Sequence, residues 1–310
     1  MASVNTITQT TPTVKRELEI MSNVILETDV FTKFKVIPAV RDKFSMFNGS
    51  VSGMSQDYSD NPTETGTTTL TDEEFTIYKG SIFHGVPYDK FKDTEFNVSI
   101  SDLKSQGLPP QFVDMVSGLA GKSISKDAAV DIYNGAGGLT GDPTGKVNGL
   151  AKIIKDKLTA ASLTSQIVTD ATNNPALKGG VELALAALKA QFTDDVIEMK
   201  EDFVFLMNGV VNDAHYEALS EVAATNIPQA SALKYLGYNI EIAKGLSSRR
   251  IIFCRKENIN VSLAISGDLV SLDIVDMYAL GGGNKARIVG NYGYGVGIAT
   301  TDFFIFEFTA

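Results

Sequence analysis

Apolar residues recur at three- and four-residue spacing through Phe112, Met115, Val116, Leu119, Ile124, Ala128 and Ile132. That period predicts an amphipathic helix over 110–133. Pro109-Pro110 opens it, because proline is tolerated where the first amide has no helical partner, and Asn134-Gly135 closes it. At 1.5 Å per residue it spans about 35 Å. Gly118 and Gly121 each weaken it by about 1 kcal/mol relative to alanine, so packing has to hold it. The same spacing predicts shorter helices over 15–31 (Leu18, Met21, Ile25, Leu26), 149–161 (Leu150, Ile153, Ile154, Leu158) and 179–190 (Val181, Leu183, Leu185, Leu188). Asn212-Asp213 can cap another, holding Tyr216, Leu219 and Val222.

Other stretches read as strands. Phe203 to Met207 is a continuous apolar run and fits a strand buried on both faces. Strands are also predicted at 238–242, 250–253 and 261–265. In the tail, Phe304, Phe306 and Phe308 face one way while Ile305 and Glu307 face the other. Phe34, Val36 and Ile37 give an extended segment stopped by Pro38, and residues 48–72 are polar and turn-rich before Phe75, Ile77, Tyr78, Ile82 and Phe83. Two strand-rich limbs around a polar tip predict a long two-stranded hairpin. Such a hairpin buries little of its own surface and is marginally stable alone, so a neighbouring subunit is its expected support. Residues 1–14 lack periodicity and read as a mobile arm. The whole is α+β, with no internal repeat.

Composition narrows the function. With 310 residues, 44% hydrophobic and 21% charged, the chain is globular, sized for two domains or one large one. A single cysteine, Cys254, forbids an intrachain disulfide and a Cys-rich zinc site. No apolar run reaches the roughly 18 residues that span a bilayer, and no signal peptide is apparent, so a soluble intracellular protein is expected. A net charge of −10 argues against a general nucleic-acid binder.

The catalytic repertoire is thin. The two histidines, His84 and His215, sit in no ligand or triad spacing; His215 reads as a helix residue beside Tyr216 and Leu219. The glycine-rich stretch 135–149 resembles a phosphate loop only superficially. Val147 follows Gly145-Lys146 where Ser or Thr must hold magnesium, and Thr140 stands where the first glycine belongs. Gly290, Gly293, Gly295 and Gly297 lie too near the C-terminus for a dinucleotide fingerprint and read, with 281–283, as bends or close approaches in the last strands. Gly49 to Gly53 carries Val51 at the nucleophile position of a Gly-x-Ser-x-Gly elbow. No catalytic, cofactor-binding or metal residue is assigned, and a non-enzyme is expected.

The order of elements resembles the major capsid proteins of tailed bacteriophages, the Hong-Kong-97 fold shared with encapsulin shells. The resemblance covers nearly the whole chain from about residue 15. Asp131-Ile132-Tyr133-Asn134-Gly135 resembles the end of that family's spine helix, and Gly149-Leu150 the start of its next domain. The stretch 203–208 followed by Tyr216 and Leu219 is similar to its buried strand and following helix. The stretches 235–240 and 250–253, then Asn258, are similar to its late axial strands. The resemblance implies an N-terminal arm (1–33), an extended hairpin loop (34–97), a peripheral domain with the spine helix (98–148), an axial domain (149–270) and a C-terminal return to the peripheral domain (271–310).

It further implies hexamers and pentamers closing into an icosahedral shell around double-stranded DNA held without sequence-specific binding. An acidic wall fits that role, because it does not condense the genome. The expected partners are further copies of the chain, a separate scaffolding protein, a portal and decoration proteins, and no membrane. The expected location is the virion capsid, assembled in the host cytoplasm. Some members crosslink a hairpin lysine to a neighbour's asparagine; Lys79, Lys90, Lys92 and Asn291 are present, but no motif assigns them. On the hairpin limbs, Phe44, Met46, Phe47, Phe75, Ile77 and Tyr78 are the expected inter-subunit contacts, the alternative being packing under their own spine helix. Competing readings are an encapsulin-like compartment around a protein cargo, another phage structural module such as a tail-tube or decoration protein, and an enzyme using the 135–149 loop.

Overall fold

A computed structural model describes residues 29–39, 43–52, 65–88, 110–135, 146–198, 200, 202–222, 233–264, 271–277 and 283–310. The predicted arm, and all but the last residues of the 15–31 helix, lie outside them. The described chain opens on a short helix, α1 (Asp29–Lys33), closed by an Asp29–Lys33 ion pair at 2.8 Å.

The apolar period at 110–133 forms the long helix α2 (Pro110–Tyr133), with the bounds its prolines and its Asn-Gly end predict. It is followed by α3 (Leu150–Ala160), β5 (Ile167–Asp170), α4 (Lys178–Lys189) and the short α5 (Asp194–Glu198). Next come β6 (Phe203–Met207) and α6 (Gly209–Val222). That last helix starts earlier than Asn212-Asp213 suggests. Asn208 folds its side-chain oxygen onto the Val210 amide at 2.9 Å, which captures the first turn, and Asn212 is buried inside the helix. The chain finishes with β7 (Lys234–Tyr235), β8 (Tyr238–Ile242), β9 (Arg250–Arg255), β10 (Ile259–Ala264), β11 (Ser271–Asp276), β12 (Lys285–Ile298) and β13 (Phe303–Phe308).

Two sheets organise the body. The six-stranded one runs β5-β13-β9-β6-β8-β7 and is apolar on both faces, as the unbroken run 203–207 requires. Phe203, Phe205 and Met207, with Ile251, Phe253, Phe304, Phe306 and Phe308, face α4 and α6. The alternate residues Val204, Leu206, Ile252, Cys254, Phe303 and Ile305 face a second core shared with α2 and α3. Phe253 sits at the centre of the first core, stacked between Phe192 at 4.3 Å and Phe203 at 5.1 Å. The predicted alternation of the tail holds, but both faces are interior, so Glu307 is buried as well.

The other sheet orders β1 (Lys35–Ala39), β10, β12 and β11, with β4 (Tyr78–Pro87) on the second side of β12. Sheet membership therefore crosses the expected division at residue 270. β10 pairs with β12 here, while β13 belongs to the six-stranded sheet.

The hairpin also differs from its expected extent. Among the described residues, β2 (Lys43–Ser52) and β3 (Thr67–Thr76) pair as a ribbon, in continuous register from Lys43 opposite Thr76 to Ser52 opposite Thr67. The segment around Phe34–Ile37 is the parallel strand β1, and Ile82 and Phe83 lie in β4. Both ends of the polar stretch read as tip are strand, at 48–52 and 67–72, because threonine is β-branched and fits an exposed pleated surface; residues 53–64 lie outside the described residues.

The glycines of β12 are not bends. Register with β4 runs one-for-one from Lys285 to Tyr294 through Gly290 and Gly293. Gly295 and Gly297 are points of close approach: a Cβ on Gly297 would lie 2.6 Å from the Phe75 ring, whereas one on Gly118 in α2 would meet nothing within 4 Å.

The pair makes opposite predictions. Gly297→Val should destabilise the chain by about 1–3 kcal/mol through overpacking against Phe75. Gly118→Ala should stabilise it by about 0.4–1 kcal/mol through the unfolded chain's entropy. Thermal or denaturant unfolding of the two variants checks both.

Candidate functional site

Two places tie distant parts of the chain together. The first is the end of α2. Gly135 takes φ +68° just past the helix and packs so closely on Gly149 that a Cβ on either would collide with the other's backbone. This fixes where the helix ends and where α3 begins. Asn134 then faces the loop after β8, accepting from the Ser247 amide at 2.9 Å and donating to the Gly245 carbonyl at 2.5 Å. Asp131, one turn earlier, accepts from the Lys146 amide at 2.9 Å and from the Tyr294 hydroxyl. Burial and the Asp131 carboxylate hold the Tyr294 hydroxyl well above the usual phenol range.

Beside Asn134 lies a buried ion pair. Arg250 Nε donates to Glu307 Oε1 at 2.8 Å, with both side chains at most 4% exposed, and its guanidinium reaches Asn134 Oδ1 at 3.4 Å. Lys155 of α3 donates to the other oxygen, Oε2, at 3.0 Å. Glu307 thus has a partner for each oxygen, the condition under which a charge is tolerated inside a core.

The second place is the root of the ribbon. Phe44, Met46, Phe75 and Ile77 form a small core of their own with Ile37 and Ala299. Phe44 and Phe75 touch at 5.4 Å between ring centres, and Phe75 lies over Gly297. Of the six expected contact residues, these four are covered by their own chain. They lie against the end of β12, not under the spine helix. Tyr78 is half-buried against the Tyr294 ring, and Phe47 stands opposite Asp72 in the ribbon register. Further out, β3 is exposed from Thr67 to Leu70, Leu70 at 74%. Lys157 of α3 donates to Glu73 at 2.5 Å and fastens this root.

The cysteine and the two histidines stand apart from one another. Cys254 is fully buried, and burial pushes its thiol far up. His215 lies buried between α4 and α6, with Nδ1 2.8 Å from Glu182, and His84 is exposed on β4. Among the described residues no group of three or more acidic, histidine or cysteine side chains could hold a metal, and no helix is long and apolar enough to cross a membrane. Lys146 in the glycine-rich stretch is placed by its backbone amide, on Asp131; residues 136–145 lie outside the described residues.

The junction residues Asp131, Asn134, Arg250 and Glu307 were not singled out as a site by the sequence. One signal was available: Glu307 is the lone charge in an otherwise aromatic-aliphatic strand.

A two-stranded ribbon seated on the end of β12, a long helix, and two sheets meeting at the helix end form a Hong-Kong-97-like capsid fold, that of the tailed-phage major capsid proteins. A chain of the satellite phage P4 procapsid that includes the size determination protein superposes over 96% of this chain and 92% of its own, with a TM-score of 0.60 at 10% identity. A chain from Mycobacterium phage Adephagia covers 91% and 90%, with a TM-score of 0.55 at 10% identity. The capsid of an empty GTA particle covers 91% and 90%, with a TM-score of 0.51 at 11% identity. No protein-family model and no curated protein matches the chain.

The ion pair yields a prediction. Glu307→Leu should cost about 3–5 kcal/mol, because it leaves Arg250 buried without its carboxylate. Adding Arg250→Met should recover most of that loss. Denaturant unfolding of the two single variants and the double variant measures the coupling.

Proposed function

We propose that the chain is a major capsid protein: a non-enzymatic subunit that assembles as hexamers and pentamers into an icosahedral shell enclosing double-stranded DNA. The observation that carries this reading is the exposed outer part of β3 in the β2–β3 ribbon, set on a capsid-type fold. A two-stranded ribbon whose β3 stands in solvent from Thr67 to Leu70 is marginally stable alone, so it calls for a surface outside its own chain. A second copy supplies one, and a closed array of copies supplies one for every ribbon.

In this proposal the expected contact residues divide by position. Phe44, Met46, Phe75 and Ile77 set the root, Tyr78 continues it into the sheet, and the surface around Phe47 and Leu70 meets the neighbour. Exposed charges such as Lys43 and Glu74, paired at 2.8 Å, fix register more than stability, since exposed pairs contribute about 0–1 kcal/mol. A net charge of −10 keeps the inner wall from binding DNA tightly. Arm, hairpin, peripheral and axial parts remain the proposed division, with β10 counted with the peripheral part and β13 with the axial part. Scaffolding, portal and decoration proteins are the proposed partners, and the virion capsid, assembled in the host cytoplasm, is the proposed location.

Negative-stain microscopy and sedimentation of the purified chain, expressed with and without its neighbouring genes, test the proposal. Closed particles, or rings of five and six that close on concentration, are expected. DNA inside identifies a capsid, and an enclosed protein cargo would identify an encapsulin-like compartment instead. A monomer or dimer under every condition overturns the shell reading. Replacing residues 50–69 by a short Gly-Ser turn should abolish particles while leaving the melting temperature of the body nearly unchanged.

A further inference from the structure

The ribbon meets the body of the chain through two kinds of contact. The apolar one, centred on Phe44 and Phe75 over Gly295 and Gly297, is non-directional, so it holds the ribbon down without fixing its angle. The polar one is directional. Lys157 Nζ donates to Glu73 Oε2 at 2.5 Å, to the Ile298 carbonyl at 3.0 Å and to the Ala299 carbonyl at 3.3 Å. An ammonium has three donors, and here each has an acceptor: one on the ribbon and two at the end of β12. The Lys157 side chain is 19% exposed, so water competes poorly for it. By contrast, the Lys43–Glu74 pair joins β2 to β3 and is about 60% exposed at both ends, so it stiffens the ribbon without tying it to the body.

Two further features make the angle adjustable. The strand β3 ends at Thr76 and β4 begins at Tyr78, which leaves Ile77 as the single residue between ribbon and sheet. At the same root a cavity of about 650 Å³ opens, lined by Glu74, Thr76, Lys79, Lys146, Asn148 and Gly295 among others. A ribbon joined to the sheet on its β3 side by one residue, with a groove beside it, is kept in one orientation by a directional fastener.

We propose that Lys157 and Glu73 are that fastener: a latch that sets the angle of the β2–β3 ribbon about Ile77, and whose release lets the ribbon swing into the adjoining cavity. The latch belongs to the single chain and does not depend on the shell reading. Where copies assemble, it fixes how each ribbon is presented to its neighbour.

Dilute, unassembled full-length chain tests it. Spin labels on Ser45→Cys, an exposed position at the root of the ribbon, and on Leu183→Cys of α4 report the ribbon-to-body distance by pulsed electron resonance, with the single native cysteine, Cys254, fully buried and unlabelled. The parent should give one narrow distance population. Lys157→Met, which removes all three donors' bonds, and Glu73→Gln, which weakens only the ribbon-side bond, should broaden it, the first more than the second. Amide exchange over 43–52 and 67–76 should rise about tenfold in Lys157→Met, the equivalent of one lost charged hydrogen bond, while 203–207 and 250–255 stay as in the parent. A parent population already broad, or distances and exchange unchanged in both variants, overturns the latch. If Lys157→Met also loses protection at 203–207, Glu73→Gln alone decides.

Discussion

Arg250 and Glu307 meet at 2.8 Å inside the protein, and Asn134, Lys155 and Ser247 converge on the same spot. Both ions would be intolerable there singly, because removing a charge from water costs several kcal/mol unless a partner repays it. They come from β9 and β13, while Asn134 ends the spine helix and Lys155 comes from α3. The six-stranded sheet, the long helix and the helix after it can therefore dock in only one relative position without stranding a charge. Apolar packing supplies most of the stabilisation of the two cores, but it tolerates sliding. The polar junction does not, and the end of the long helix, α3 and the strands β9 and β13 are registered on it.

The ribbon shows the complementary logic. Its root depends on the absence of side chains, since Gly295 and Gly297 leave β12 open enough for Phe44 and Phe75 to lie on it. Further out, Thr67 to Leu70 stand exposed among the described residues. Burial falls from the covered phenylalanines at the root to Leu70 at 74% exposure within a few residues. A chain built this way combines a body held by buried polar contacts with one appendage fastened mainly at its root.

Much of the secondary structure was legible beforehand. The spine helix, the buried strand Phe203–Met207 and the strand Tyr238–Ile242 follow from periodicity and from prolines and glycines at their ends. Where sequence reasoning strayed, a local competitor or a distant partner had intervened. Asn208 captured the helix start from Asn212-Asp213 by an Asx turn. The 34–37 segment and β4 were drawn out of the hairpin by β10 and β12, partners some 200 residues away that no local pattern reveals. The phenylalanines of the hairpin were legible as important, but whether they faced a neighbour or their own chain depended on two glycines near the C-terminus.

By itself the sequence determined the element types and the apolar faces, because those depend on neighbours a few residues apart and on composition. Only the tertiary structure decided which strands share a sheet, that both faces of the tail are interior, and that Glu307 and Lys157 each have partners waiting. Strand pairing and buried charge are settled by residues far apart in the chain, and the free energy of such contacts exists only once the chain has brought them together.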